Sequence, residues 1–148
     1  MLKNYTSQVP ANRSVQKIED LLVRHGAKNI LKLYENKELI GIAFIITVNG
    51  SDVPFRLPAR IDRVEKRLRE FIRRPRPGTL DRITDQACRT AWKLLSDWIS
   101  IQISLIELDQ VELIEVFMPY IIYDNQKNQT LFEKMKDSGY SLLLEKKE

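Results

Sequence analysis

The chain has 148 residues, of which 43% are hydrophobic and 30% are charged, and its net charge is +4. This composition is typical of a folded chain the size of one domain, and it excludes collagen-like or globally disordered character. The chain has one histidine, His25, and one cysteine, Cys88, which excludes an internal disulfide and a zinc site with four Cys or His ligands. Its five glycines are scattered, so no phosphate-cradling loop is predicted, and we expect no cofactor.

The first predicted element is a helix from Val15 to His25, in which apolar residues recur with helical spacing. Ser14 is the predicted N-cap, and Gly26 stands where a glycine commonly follows the end of a helix.

Three strands follow, at residues 29–34, 39–48 and 53–57. The second is the richest in Ile, Phe, Val and Thr, and is predicted to be the central, largely buried strand. Asn49-Gly50 indicates a tight hairpin turn between the second and third strands. Pro54 has no N–H for the hydrogen-bond ladder, so the third strand is predicted to lie at an edge of the sheet.

A basic helix is predicted from Ala59 or Arg60 to Arg73 or Arg74, and the Pro-Arg-Pro-Gly sequence at 75–78 breaks the chain after it. Its apolar stripe is narrow and consists of Ile61, Val64, Leu68, Phe71 and Ile72.

A longer helix is predicted from Asp85 to Phe117, with Thr79 or Thr84 as its N-cap. At 1.5 Å per residue, a helix of this length would measure about 50 Å and would outrun the rest of the domain. We therefore expect it either to break near Asp109 or to take part in self-association. The candidate seam for a homodimer consists of Ile99, Ile103, Ile106 and Leu113.

The last predicted helix covers residues 131–136, with Thr130 as its N-cap and Glu133 completing a capping box. Gly139 is predicted to end it, and residues 140–144 are predicted to pair back as a strand.

The order of these elements predicts one α+β domain over residues 1–148, with a helix and a β-meander in 1–58 and a mainly helical part in 59–148. The N-terminus has no apolar stretch typical of a signal peptide, and the most hydrophobic run, 41–48, is far below the roughly 20 residues that cross a bilayer. We expect a cytoplasmic protein without a membrane partner.

Charge is distributed unevenly along the chain. Residues 56–82 carry ten cationic and four acidic side chains, a net charge of +6, and nine of the ten cations are arginines. Residues 100–148 carry a net charge of −4. This asymmetry indicates electrostatic selection of a partner.

The arginine-rich segment is the strongest candidate binding site. Guanidinium groups match phosphate oxygens in pairs and remain charged, so the excess of Arg over Lys favours the phosphate backbone of DNA or RNA, or an acidic protein surface. The alternative is a solvated helix face whose charges pair within the chain. The candidate residues are Arg56, Arg60, Arg63, Lys66, Arg67, Arg69, Arg73, Arg74 and Arg76.

Candidates for catalysis are few. His25 is the base that Ser–His or Cys–His catalysis would need, but its place at a helix end favours contact with the last carbonyl groups. Cys88 lies near two alanines on the long helix and is predicted to be a small buried residue.

A metal-dependent nuclease is a third interpretation. Glu35-Asn36-Lys37 has a Glu-x-Lys spacing, and such sites need carboxylates that converge on a divalent ion. The partner carboxylate would be Asp52 or Glu19. Against this, the Glu-x-Lys residues fall in a predicted turn, where charged side chains are expected anyway.

Several stretches of the chain resemble an uncharacterised family of small proteins encoded by bacteriophages and prophages. The resemblance covers nearly the whole chain and is carried by Asn4-Tyr5-Thr6, Val9-Pro10, Pro54–Ala59, Asp85–Ile99, Ile106-Glu107, Val116–Tyr120 and Gln129–Glu133. It implies no activity and no catalytic residues. It does imply an origin in a mobile element and a place in the cytoplasm of a bacterial host.

Taken with the arginine segment, these features predict a non-enzymatic accessory protein of a phage or mobile element that binds nucleic acid. The alternative is a protein-interaction module that modulates a host or defence complex, and the third interpretation is the metal-dependent nuclease.

Overall fold

The computed structural model of the chain describes residues 2–144 and has an α+β fold, as predicted. The elements in chain order are α1 (Ala11–Arg24), β1 (Lys28–Glu35), β2 (Glu38–Val48), β3 (Ser51–Pro58), α2 (Ile61–Glu70), α3 (Thr79–Glu107), α4 (Leu113–Phe117), a 3-10 turn (Met118–Tyr120), β4 (Ile122–Asp124), β5 (Gln129–Thr130) and α5 (Leu131–Asp137).

β1, β2 and β3 form an antiparallel meander with β2 in the centre. Both hairpin turns contain two residues with positive φ, namely 49° and 65° at Asn36-Lys37 and 49° and 81° at Asn49-Gly50. Two consecutive positive φ angles give the turn whose twist matches that of paired strands. The predicted hairpin at Asn49-Gly50 is therefore confirmed, and so is the edge position of β3, the strand that contains Pro54.

The core lies between the sheet and the helices. The rings of Phe44 and Phe55 stack with centroids 5.3 Å apart, and Phe117 of α4 packs edge-on against both. All three rings are at most 1% exposed, and burying a ring of this size stabilises the fold by about 2–3 kcal/mol. On α3, the buried Trp92 donates a hydrogen bond from its indole N–H to the carbonyl of Leu39, at 3.2 Å. Helix α3 is thereby held against the central strand.

Helix α1 begins earlier than predicted. Its N-cap position is Pro10, whose carbonyl accepts hydrogen bonds from the amides of Arg13 and Ser14. Proline suits a helix start, because its φ is already near the helical value and its missing N–H would have no partner there. Ser14 is consequently a buried residue inside the helix, and the prediction that it is the N-cap was wrong.

Helix α2 ends at Glu70, earlier than the predicted end at Arg73 or Arg74. The ring of Pro75 disfavours the helical conformation at the residue before it, and the chain leaves the helix before reaching that point. Phe71, a predicted member of the apolar stripe of this helix, is 62% exposed. The arginines that follow Phe71 lie on an irregular loop.

Helix α3 begins at Thr79, earlier than the predicted start at Asp85, and its N-cap position is Gly78 with φ of 81°. Neither Thr79 nor Thr84 is the N-cap. The hydroxyl of Thr79 accepts a hydrogen bond from the backbone N–H of Arg76, at 3.0 Å. That bond ties the basic loop to the start of α3.

The predicted break near Asp109 is confirmed, because α3 ends at Glu107 and Asp109 adopts a positive φ of 57°. A left-handed residue cannot continue a right-handed helix, and the chain restarts as α4. Among the helices of residues 2–144, none combines the length and the apolar character needed to span a membrane.

The capping box of α5 is confirmed: the Thr130 hydroxyl accepts from the Glu133 amide at 3.2 Å, and the Glu133 carboxylate accepts from the Thr130 amide at 3.4 Å. The predicted strand at 140–144 was wrong. Tyr140 has a positive φ of 59° and donates its amide proton to the carbonyl of Met135, so the chain turns back on α5. The C-terminal strand pairing is formed instead by β4 and β5.

Candidate nucleic-acid interface

Helix α2 and the loop that follows it carry most of the predicted cationic residues. Between residues 60 and 76 there are eight cationic and three acidic side chains, a net charge of +5. We call the exposed cations of this segment the basic surface. It consists of Arg60, Arg63, Lys66, Arg67, Arg69, Arg73, Arg74 and Arg76.

Two members of the basic surface form ion pairs within α2. Arg67 lies 2.8 Å from Glu70, and Arg69 lies 2.7 Å from Glu65. The side chains of Arg67 and Glu70 are 63% and 47% exposed, and an exposed pair of this kind contributes less than about 1 kcal/mol. Phosphate can therefore compete for Arg67 at little cost, whereas Glu65, the partner of Arg69, is only 23% exposed.

The other six cations have no ion-pair partner among residues 2–144. They are Arg60, Arg63, Lys66, Arg73, Arg74 and Arg76.

Glu65 is the acid of this segment that faces α3. It accepts hydrogen bonds from Arg69 and from the hydroxyl of Thr84, each at 2.7 Å. These two hydrogen bonds, from Arg69 and then Thr84, lower the pKa of the Glu65 carboxyl below its ordinary value. Glu65 therefore stays ionised at neutral pH and joins α2 to α3.

Arg56, on β3, is held within the fold and is not a member of the basic surface. Its guanidinium forms an ion pair with Glu133 of α5 and donates a hydrogen bond to the carbonyl of Asn128, at 3.1 Å. Burial raises the pKa of Glu133, but hydrogen bonds from Thr130 and the charge of Arg56 outweigh it, and the net pKa lies below the ordinary value. Arg56 thus links the edge strand β3 to the last helix.

The four residues of the predicted self-association seam are placed within the fold of one chain. Ile99 is fully buried and Ile103 is 3% exposed, both in the core. Ile106 and Leu113 are half-buried and pack against the same core. The buried pair offers no surface to a second copy.

The residues considered for a nuclease site lie far apart. Glu35 stands opposite Glu38 at one end of β2, and Asp52 stands opposite Thr47 near the other end. At roughly 3.4 Å per residue this separation is about 30 Å. Within residues 2–144, no three His, Cys, Asp or Glu side chains come together as metal ligands would.

Each of the other nuclease candidates already has a lysine partner. Asp52 lies 3.0 Å from Lys28, and Glu19 lies 3.4 Å from Lys32.

The surroundings of His25 and Cys88 indicate structural roles for both residues. The His25 amide donates to the carbonyl of Leu22 at the end of α1, and its imidazole Nε2 lies 3.0 Å from a carboxylate oxygen of Glu107. The contact with Glu107 joins the C-terminal ends of α1 and α3. Burial, followed by the charges of Glu38 and Asp85, raises the pKa of the half-buried Cys88 thiol, so it remains protonated at neutral pH and is a poor nucleophile.

Beside the basic surface lies a cleft of about 320 Å³ that was not predicted. Its walls combine the start of α2, Arg56 and Pro58 of β3, and α5. We call it the charged cleft, and the other side chains that line it include Arg60, Arg63, Tyr120, Phe132, Glu133 and Lys136. The two walls are distant in sequence, so no local pattern of residues points to it.

Comparison of the chain with models of known protein families, with curated protein sequences and with solved structures finds no match.

Proposed function

We propose that this chain binds nucleic acid, without catalysing a reaction on it, through phosphate contacts made by the basic surface. The observation that carries the proposal is that six exposed cations on one helix and its following loop have no ion pair within residues 2–144. An unpaired cation can replace a counterion that is condensed on a phosphate. Release of that counterion from the nucleic acid then favours binding.

The loop adds an aromatic side chain to the cations. Phe71 is 62% exposed at the start of the loop, and Arg73 and Arg74 follow it closely in sequence. Single-stranded nucleic acids bind to surfaces that offer both a cationic track and an aromatic ring on which a base can stack. The basic surface supplies the cationic track and Phe71 the ring, which favours a single strand as the partner.

The resemblance to phage and prophage proteins fits this proposal, because proteins of mobile elements commonly act on nucleic acid or on host complexes that contain it. We accordingly place the protein in the cytoplasm of a bacterial host as an accessory protein.

Salt dependence of binding tests the proposal. Fluorescence polarisation with labelled single-stranded and duplex DNA and RNA gives the association constant over a series of salt concentrations. Six phosphate contacts predict a slope of log K against log salt of roughly −5 on duplex DNA, and a shallower slope on single strands. A slope near zero, or no binding at low salt, would overturn the proposal.

A matched pair of variants locates the contact. Arg67→Glu with Arg74→Glu is expected to abolish binding at low salt, because both changes put repulsive charge on the basic surface. The control is Arg13→Glu with Lys17→Glu, two exposed cations on α1 without ion pairs within residues 2–144. It changes the net charge equally, so similar losses in both variants would show that only overall charge matters.

A second candidate function is recognition of an acidic protein. The observation in its favour is an apolar groove of about 520 Å³ between α2 and α3, lined by Phe71, Ile72 and Ile83 and flanked by Arg82 and Arg89. A protein partner that stays bound to the chain after nuclease treatment, and is lost with Phe71→Ala, would support it.

The nuclease interpretation makes a separate prediction. A nuclease cleaves plasmid DNA in Mg²⁺ or Mn²⁺, and the function proposed above predicts intact plasmid under the same conditions.

A further inference from the structure

More cationic than acidic side chains line the charged cleft. Four cations and two acids line it, a net charge of +2. Glu133 pairs with Arg56, and Asp137 accepts a hydrogen bond from the uncharged side-chain amide of Gln129. Three cations on its walls, Arg60, Arg63 and Lys136, have no ion pair within residues 2–144. The cleft therefore presents net positive charge to whatever enters it.

The three cations approach the cleft from opposite walls. Arg60 and Arg63 lie one turn apart at the start of α2, and Lys136 lies on α5. No side chain caps α2 at its N-terminus, where Arg60 is the capping residue, and the positive end of the helix dipole adds to the charge there. This combination of two guanidinium groups, an ammonium group and a helix start is suited to a phosphate monoester, which is a dianion.

An apolar cleft of about 290 Å³ adjoins the charged cleft. The two border each other at Pro58, Arg60 and Tyr120, and we refer to them together as the groove. The apolar part is lined by Leu94 and Trp98 of α3 among other side chains. A ligand that fills both parts needs an anionic group at one end and a flat apolar group at the other.

An aromatic ring also stands on the wall of the charged part. Phe132 is 40% exposed there, although a side chain of this size is usually covered. Exposed aromatic surface beside a cluster of cations is the setting in which nucleobases stack. The volume of the charged cleft lies within the range of small-molecule sites, from about 300 Å³ upward.

We infer that this groove binds a nucleoside monophosphate, with its phosphate held by Arg60, Arg63 and Lys136 and its base against the aromatic and apolar side chains. The ligand is either a free nucleotide or the phosphorylated end of a nucleic acid strand. Only the strand-end source rests on the function proposed above. In that case the basic surface holds the strand and the groove takes its terminal nucleotide.

Calorimetric titration of the full chain with adenosine 5′-monophosphate, adenosine and inorganic phosphate tests the inference. We expect the nucleotide to bind at least about tenfold more tightly than either part alone, because each part fills only half of the groove. No binding of the nucleotide at millimolar concentration, or equal binding of inorganic phosphate, would overturn the inference.

Two lysines of α5 provide a matched pair. Lys136→Gln is expected to weaken nucleotide binding about tenfold, because a charge-assisted bond to phosphate is lost. Lys134→Gln removes the same charge from an exposed position of the same helix that does not line the groove, and is expected to have no effect. Equal effects of the two variants would contradict a contact with Lys136.

Oligonucleotides with and without a 5′-phosphate separate the two sources. A preference for the phosphorylated strand that disappears in Lys136→Gln assigns the groove to strand ends. Binding of the free nucleotide without such a preference assigns it to free nucleotides. Salt-dependent strand binding with neither nucleotide binding nor end preference overturns this inference but leaves the proposed function standing. Nucleotide binding without any strand binding supports this inference and overturns the proposed function.

Discussion

Arg56 and Arg74 belong to the same arginine-rich segment, but the fold treats them differently. Arg56 is 21% exposed and is held by Glu133 and a backbone carbonyl. Arg74 is exposed on a loop and has no ion pair within residues 2–144. A run of like charges in the sequence therefore contains both cations that are paired within the fold and cations that are free to bind a partner, and the neighbours of each cation in space determine its role.

The backbone explains the difference. In β3, successive side chains alternate between faces, so Phe55 enters the core while Arg56 points to the other face, where it contacts Asn128 and Glu133. The loop of residues 71–78 contains two prolines and a glycine, which prevent regular structure and keep its arginines at the surface.

Substitution of Arg73 and Arg74, the adjacent arginines of the loop, should give the largest effect on nucleic-acid binding. Arg73→Gln with Arg74→Gln is expected to lower the affinity for duplex DNA on the order of 50-fold at 0.1 M salt, and to reduce the salt slope by about 2, because two phosphate contacts are lost. Fluorescence polarisation measures both quantities. An unchanged slope would place both arginines outside the interface, whatever the loss of affinity.

Substitution of Arg56 should lower the stability of the fold and leave nucleic-acid binding unchanged. Arg56→Gln is expected to lower the free energy of unfolding by about 1–2 kcal/mol, since charge-assisted bonds to Glu133 and Asn128 are lost. The salt slope of nucleic-acid binding should stay as it is. Urea denaturation measures the first quantity, and Arg76→Gln is the exposed control, with an expected change within about 0.5 kcal/mol. A normal stability for Arg56→Gln would break the distinction between the two kinds of arginine.

Stability should also depend on acidic pH. The carboxyls of Glu65 and Glu133 have pKa values below their ordinary value of 4.5. A lowered pKa in the folded state contributes stability that is present above the unfolded value and is lost as pH falls through the folded value. Urea denaturation from pH 7 downward should therefore show a decline beginning near pH 5. The decline should be smaller in Arg56→Gln, because part of the lowering at Glu133 comes from Arg56. An equal decline in both proteins would contradict the pairing.

The exposed pair on α2 should give the smallest change. Arg67→Gln removes the partner of Glu70 but is expected to change the free energy of unfolding by less than about 0.5 kcal/mol. Its effect on binding should be a reduction of the salt slope by about 1. A larger loss of stability would show that Arg67 belongs with Arg56.

Local patterns predicted much of the fold. The α+β order, the Asn49-Gly50 hairpin, the break near Asp109 and the capping box at Thr130 all depend on residues within a few positions of one another. The errors arose where neighbouring residues competed. The N-cap position of α1 is Pro10 and not Ser14, and α2 ends at Glu70, before Arg73 and Arg74.

The candidate site likewise combines residues that local sequence patterns predict with contacts that they do not predict. The exposed arginines of α2 could be predicted, because helical spacing and charge are local properties. The partner of Arg56 lies 77 positions away. Lys136 reaches the charged cleft only through the packing of α5 against the 3-10 turn, β4 and β5. Neither contact has a local signal in the sequence.

One contact at the edge of the sheet has a consequence for biosynthesis. Phe55 of β3 pairs with Ile121 in an isolated bridge, so the chain that leads into β4 covers part of this edge. During translation, β3 leaves the ribosome well before Ile121, and until then its edge can pair with any other extended chain. This part of the edge is covered only once the C-terminal segment has been made, and we expect a chain truncated before residue 121 to accumulate as insoluble material.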